Sequence, residues 1–240
     1  MNTNKHFMER RDFLRLAVTG AFGMMVSASD LLWQIQPVEA GEIPPVIPQP
    51  LSPDAALQKL IAGNQRFIQH QSQYPHQSAK RLHEVAQAQH PFATILSCAD
   101  SRVPAEIIFD QGIGDIFDVR IAGNIATPEA IGSIEYAVAL LGTPLLMVLG
   151  HERCGAVTAA VQKAALLGEI GSFVKAIKPA VEKVKSLPGD AVENAVVANV
   201  QYQIERLQRS QLLTEQRESG KLKIVGGRYD LDTGRVSIIT

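Results

Sequence analysis

Leu145-Leu146-Met147-Val148-Leu149-Gly150-His151-Glu152-Arg153-Cys154-Gly155 holds five consecutive apolar residues that stop at a glycine. A histidine follows at once and a cysteine three positions later. The apolar part reads as a buried strand, with the polar residues where the strand ends. Two further runs have the same form: Phe92-Ala93-Thr94-Ile95-Leu96 ends at Ser97-Cys98, and Ile116-Phe117-Asp118-Val119-Arg120-Ile121 ends near Gly123-Asn124. Thr127-Pro128-Glu129 announces a helix before the Leu145 run, with Ile131, Ile134, Val138 and Leu141 along one side. An alanine-rich helix begins after Cys154. Strands alternating with helices predict an α/β fold, a central mainly parallel sheet flanked by helices with right-handed crossovers. Such sheets bind ligands outside the carboxyl ends of their strands, so Cys98 and His151 arrive at one edge from two strands.

Further out, Leu222 to Val225 and Val236 to Ile239 read as additional strands, with Asp232-Thr233-Gly234 turning the chain between Leu231 and the last of them. Toward the N-terminus, residues 69–91 read as a polar loop. Before it, Ser52-Pro53-Asp54 starts a helix: serine caps, proline fits the first helical position, and aspartate suits the positive end. Leu57, Leu60, Ile61, Phe67 and Ile68 give that helix one apolar face. Residues 41–53 carry Pro44, Pro45, Pro48, Pro50 and Pro53 and read as an extended spacer, leaving 54–240 as a single domain.

Residues 1–40 have a different character. Arg10-Arg11-Asp12-Phe13-Leu14-Arg15 precedes an apolar, glycine-containing segment from Leu16 to Ala28, and Val38-Glu39-Ala40 puts small or apolar residues where a signal peptidase cuts. The pattern resembles a twin-arginine export signal, which implies a periplasmic or otherwise extracytoplasmic destination. An amphipathic N-terminal helix or an uncleaved anchor is the alternative reading. The chain of 240 residues has a net charge of -1, and no dense basic run follows the first fifteen residues, which argues against nucleic acid as the main partner. Residues 41–240 contain no apolar stretch long enough for a membrane-spanning helix.

The chemistry lies in Cys98-Ala99-Asp100-Ser101-Arg102 and His151-Glu152-Arg153-Cys154-Gly155. Two thiolates and an imidazole suit Zn²⁺, and three protein ligands leave a fourth tetrahedral position for water. Cys98, His151 and Cys154 are therefore the candidate ligands. The two thiolates cancel the charge of the ion, so ionising water near neutral pH needs help. Asp100 supplies it by accepting a hydrogen bond from the water and orienting a lone pair, provided that Arg102 fixes the carboxylate and keeps it ionised. A structural zinc site needs no such pair.

These two motifs resemble the signature motifs of the β-class carbonic anhydrases, the first continuing through Val103-Pro104-Ala105-Glu106. Gly63-Asn64-Gln65-Arg66-Phe67, Ala122-Gly123-Asn124 and Tyr229-Asp230-Leu231-Asp232-Thr233-Gly234 are similar to family habits as well, and the resemblance covers about residues 51–240. It implies a zinc enzyme that reversibly hydrates carbon dioxide to bicarbonate and a proton, assembled as a homodimer or a larger even-numbered homo-oligomer. By the same resemblance Gln89 donates to substrate across a subunit interface, Phe117 and Ala122 line an apolar pocket, and the Gly155 N–H contacts bicarbonate. Arg120 matches the arginine of a second, inhibitory bicarbonate pocket in some members. That pocket also uses a tryptophan, and the only one here is Trp33, so the tryptophan-dependent pocket is expected to be absent.

Three competing readings stand beside this one. A zinc hydrolase of the same fold could act on carbon disulfide or carbonyl sulfide. A non-catalytic zinc protein would leave Asp100 and Arg102 without a role, and a redox protein using Cys98 and Cys154 would leave His151 without one. His70, His76, His83 and His90 lack ligand spacing and read as solvated loop residues. Two cysteines in an exported protein would by count alone suggest a disulfide. Zinc bound during cytoplasmic folding would instead hold both sulfurs before export.

Overall fold

The computed structural model describes residues 51–163 and 167–239. The segment read as an export signal and nearly all of the proline spacer, Trp33 included, lie outside them. Strands β1 (Ala93–Ser97), β2 (Ile116–Arg120), β3 (Leu145–His151), β4 (Lys223–Tyr229) and β5 (Val236–Ile239) form one sheet in the order β2-β1-β3-β4-β5. The first four are parallel, and β5 runs antiparallel to β4. The mainly parallel α/β sheet expected from the sequence is the observed architecture.

Helices cover both faces, which explains why β3 is apolar without interruption. Leu145, Met147 and Leu149 pack beneath α1 (Pro53–Ile68) and α3 (Ala105–Ile108), against Leu57, Leu60, Ile108 and Phe109. Leu146 and Val148 point the other way, toward Ile134 of α4 (Pro128–Ala139) and Val200 and Leu207 of α7 (Ala191–Leu207). Side chains alternate across a strand, so one apolar run serves two cores. Gly150 lets α7 approach the sheet closely: a Cβ there would meet Val200 Cγ2 at 2.5 Å.

The caps follow the sequence. Ser52 Oγ accepts from the Ala55 N–H at the start of α1, and Thr127 Oγ1 accepts from the Ala130 N–H at the start of α4. Some elements differ from expectation. The polar loop contains α2 (Ala79–Val85), which buries no residue and so has no apolar stripe to betray it. β2, expected to be buried, is an edge strand with half-exposed side chains. β4 continues past Val225 because Gly226 and Gly227 keep pairing with β3 as far as His151↔Tyr229. Helix α5 (Gly155–Gln162) follows Cys154 as expected, whereas α6 (Gly171–Val184), α7 and α8 (Gln211–Glu218) carry no expectation from the sequence. Among the described residues, no helix is long and apolar enough to cross a membrane.

Candidate active site

β1 and β3 are neighbours, in register at Ser97↔Leu149, so their carboxyl ends deliver Cys98 and His151 side by side. The chain then turns sharply through Arg153, which adopts the left-handed conformation (φ 50°), and places Cys154 at the head of α5. The two sulfurs stand 4.0 Å apart, and one potential ligand atom from each of Cys98, His151 and Cys154 lies within 4.8 Å of the others. Both cysteines are buried and free of any disulfide.

His151 is fully buried, and its Nδ1 lies 2.9 Å from the Glu152 carbonyl oxygen. That bond assigns the proton to Nδ1 and leaves a lone pair on Nε2, which has no hydrogen-bond partner. A buried nitrogen with an unused lone pair beside two sulfurs is costly unless something occupies the space between them. A tetrahedral zinc ion would hold its two sulfurs about 3.8 Å apart given ordinary Zn–S lengths. The observed spacing fits.

The electrostatics point the same way. Hydrogen bonding from Cys154, with the Gly123 N–H adding to it, pulls the Cys98 thiol well below the usual range. The same contact with Cys98, together with burial, drives the Cys154 thiol up. A divalent ion between the sulfurs would permit both to ionise.

Asp100 and Arg102 sit at the rim. Arg102 Nε and Nη2 donate to the two carboxylate oxygens at 2.9 and 2.8 Å, and the Arg102 N–H adds a third bond at 3.0 Å. The Arg102 guanidinium holds the Asp100 carboxyl far below the ordinary carboxylate range. Asp100 Oδ2 stands 3.8 Å from His151 Nε2, near the cluster, while both of its oxygens are engaged by Arg102. Arg120 braces the same turn from behind, donating from Nε to the Cys98 carbonyl (3.1 Å) and from Nη2 to the Asp100 carbonyl (2.6 Å).

The remaining candidates divide. Gly155 is exposed at the first position of α5 with open space before it, and Ala122 is half-buried in the 3₁₀ turn Ala122–Asn124. Phe117, half-buried on β2, meets the Tyr136 ring at 6.2 Å between centroids. Gln89 is not brought to the cluster. It is exposed at the entry to β1, the opposite end of that strand from Cys98, and lines a groove of about 590 Å³ with Val85, His90, Tyr136 and Leu140. His76 is exposed in the loop, as read from the sequence, and its Nδ1 also contacts the buried Asp115 at 2.7 Å.

Sequence reasoning missed two supports. The Gly123 N–H donates to Cys98 Sγ at 3.2 Å; its only sequence signal is a glycine where the turn is left-handed (φ 73°). The loop holding His151 and Cys154 is tied to the turn before β5: Arg153 pairs bidentately with Asp232 at 2.9 and 2.7 Å, and Glu152 accepts from the Leu231 N–H.

Two strand ends and a helix head thus bring together, in an α/β protein, a Cys-His-Cys group that could hold a metal ion, and comparison with known proteins narrows that class. The family model described as carbonic anhydrase matches residues 93–236. Carbonic anhydrase 2 of Mycobacterium tuberculosis is 42% identical over 191 residues, 77% of this chain and 91% of that protein. Among solved structures, the β-carbonic anhydrase CcaA is 27% identical with a TM-score of 0.62, covering 77% of this chain and 95% of that one. The β-carbonic anhydrase CafA of Aspergillus fumigatus is 26% identical with a TM-score of 0.63, covering 76% and 90%. The chain belongs to the carbonic anhydrase family, and its fold is that of the β class.

Proposed function

We propose that this enzyme catalyses the reversible hydration of carbon dioxide to bicarbonate and a proton, at a Zn²⁺ ion held by Cys98, His151 and Cys154. The observation that carries the reading is the Asp100–Arg102 pair locked beside a buried imidazole nitrogen that lacks a partner. A zinc ion with a free coordination position supplies a nucleophilic oxygen near neutral pH by acidifying water. The protein does the rest. Asp100, kept ionised and acceptor-only by Arg102, takes the hydrogen bond of the attacking water and turns its lone pair toward carbon dioxide. Gly155, exposed at the first position of α5, has a backbone N–H that the helix leaves without an internal partner, and in this reading it donates to a product oxygen.

Phe117, Ala122 and Gln89 belong to this reading through a homodimer. The free edge of β2 and the groove around Tyr136 and Leu140 support such a pairing. Antiparallel two-fold pairing of the β2 edges would lay the entry of β1 from one protomer beside the metal end of the other, bringing the partner's Gln89 to the substrate. For the N-terminal 40 residues we propose twin-arginine export, which cell fractionation of wild type and an Arg10→Lys/Arg11→Lys variant tests. Stopped-flow hydration of carbon dioxide by zinc-analysed protein tests the activity: wild type turns over and Asp100→Ala retains zinc but does not. A zinc-loaded, inactive wild type would end the proposal.

A further inference from the structure

Helix α7 carries two amides where an apolar face is expected. Asn199 and Gln203, one turn apart, are fully buried among Ala195, Val196, Val200 and Leu207. Burying amides costs free energy unless their hydrogen bonds are made. Here the bonds form one continuous chain: the Ala126 N–H donates to Gln203 Oε1, Gln203 Nε2 donates to Asn199 Oδ1, and Asn199 Nδ2 donates to the Gly123 carbonyl, each at 2.9 Å. The chain clasps both ends of the segment from Gly123 to Ala126.

That segment needs holding. Gly123 (φ 73°) and Asn124 (φ 45°) are consecutive left-handed residues, and the second is not a glycine. No side chain could replace the clasp from within, because a Cβ on Gly123 would meet Ile177 Cδ1 at 2.6 Å. The Gly123 peptide is thus gripped at its carbonyl end by Asn199, while the N–H of the same residue donates to Cys98 Sγ at 3.2 Å. The gripping helix itself rests against Gly150, the residue before His151, through Val200. One rigid path joins the strand of His151 to the sulfur of Cys98.

We infer that Asn199 and Gln203 are positioning residues of the metal centre: their buried amide relay holds the Gly123 N–H on the Cys98 sulfur and so limits the electron density that sulfur gives to the ion. The inference rests on the metal reading above. Two thiolates already neutralise a divalent ion, so a hydrogen bond that withdraws density from one of them restores part of its Lewis acidity. Hydrogen bonds behind a ligand commonly change affinity or activity by 10- to 100-fold when removed. Asn199, one bond further out, should sit near the lower end of that range.

The test uses full-length protein loaded with Co²⁺, which makes the sulfur–metal bond visible as a charge-transfer band. Asn199→Ala and Gln203→Met are compared with Leu60→Ala, a truncation in the core on the other face of the sheet, whose cluster contains no residue of the relay. The expected result is a band shifted to longer wavelength, altered retention against a chelator and a roughly tenfold lower kcat in the two relay variants. Leu60→Ala loses thermal stability but keeps the wild-type band. Should Asn199→Ala not fold, Gln203→Met, which keeps the side-chain volume, carries the test alone. Relay variants with the wild-type band and chelator resistance overturn the positioning role. A wild type that takes up no cobalt strikes instead at the metal reading itself.

Discussion

The two ends of the sheet are built in opposite ways. At the carboxyl end, Cys98, His151 and Cys154 are buried and every nearby turn is tied down: by Arg120 to the Cys98–Asp100 backbone, by Asp232 to Arg153, and by Asn199 to Gly123. At the amino end beside β2, a groove lies open, with Tyr136 45% and Leu140 72% exposed and Gln89 on its rim. The difference teaches what one chain brings together and what it leaves apart. The three candidate metal ligands meet within one chain, whereas the residues proposed for the substrate are split between the cluster and the far end of the sheet.

The sharpest way to break this contrast is at the ligands. His151→Ala is expected to strip the metal and leave activity at background, read by metal analysis and carbon dioxide hydration together. A zinc-replete His151→Ala would show that the cluster does not depend on the imidazole. Next in size, Asp100→Asn should keep zinc while lowering kcat by about 10²- to 10³-fold, in the range for losing a positioned proton-handling group. Normal zinc with normal turnover would remove Asp100 from the chemistry. At the other end of the sheet, Leu140→Glu should leave zinc content unchanged, shift sedimentation toward monomer and reduce activity about tenfold, because a buried charge at such a contact costs several kcal/mol. A fully active monomer would show that the open groove has no part in the site.

The smallest effect concerns Asp118 on β2, whose carboxyl is pushed up to about 6 by burial and then by the Glu106 carboxylate. Below the ordinary carboxylate range the group is protonated in both folded and unfolded chains and costs nothing. As pH rises from the ordinary carboxylate range the unfolded chain ionises first while the native carboxyl keeps its proton to about 6, so stability falls across that interval and the loss is complete above it. Asp118→Asn should therefore be more stable than wild type by about 1–3 kcal/mol at pH 8, with the gain vanishing near pH 4. Chemical denaturation at the two pH values checks it, and an unchanged difference between them would refute the assignment.

What could be read from the sequence follows from which signals are local. β1 and β3 announce themselves because both of their faces are buried, so every residue along Leu145–Leu149 is apolar. Ser52 and Thr127 mark their helices by capping within three residues. The spacing of His151 and Cys154 is likewise local, and the strand-end rule supplied Cys98. The rest depends on distant partners. α2 buries nothing, the edge position of β2 is a matter of strand order, and the bonds from Asn199 and Gln203 reach back 76 and 77 residues to Gly123 and Ala126. In a linear reading those two amides are merely polar residues on an apolar helix face. Gln89 lies remote from the cluster within one chain, and its part in the site rests on the proposed homodimer.

The most direct test is X-ray absorption at the zinc edge of active, purified protein. Two sulfurs at about 2.3 Å and two nitrogen or oxygen scatterers at about 2.0–2.1 Å are expected, one of the latter replaceable by an added anion. A shell without sulfur, or four ligands that no added anion can displace, would contradict the account.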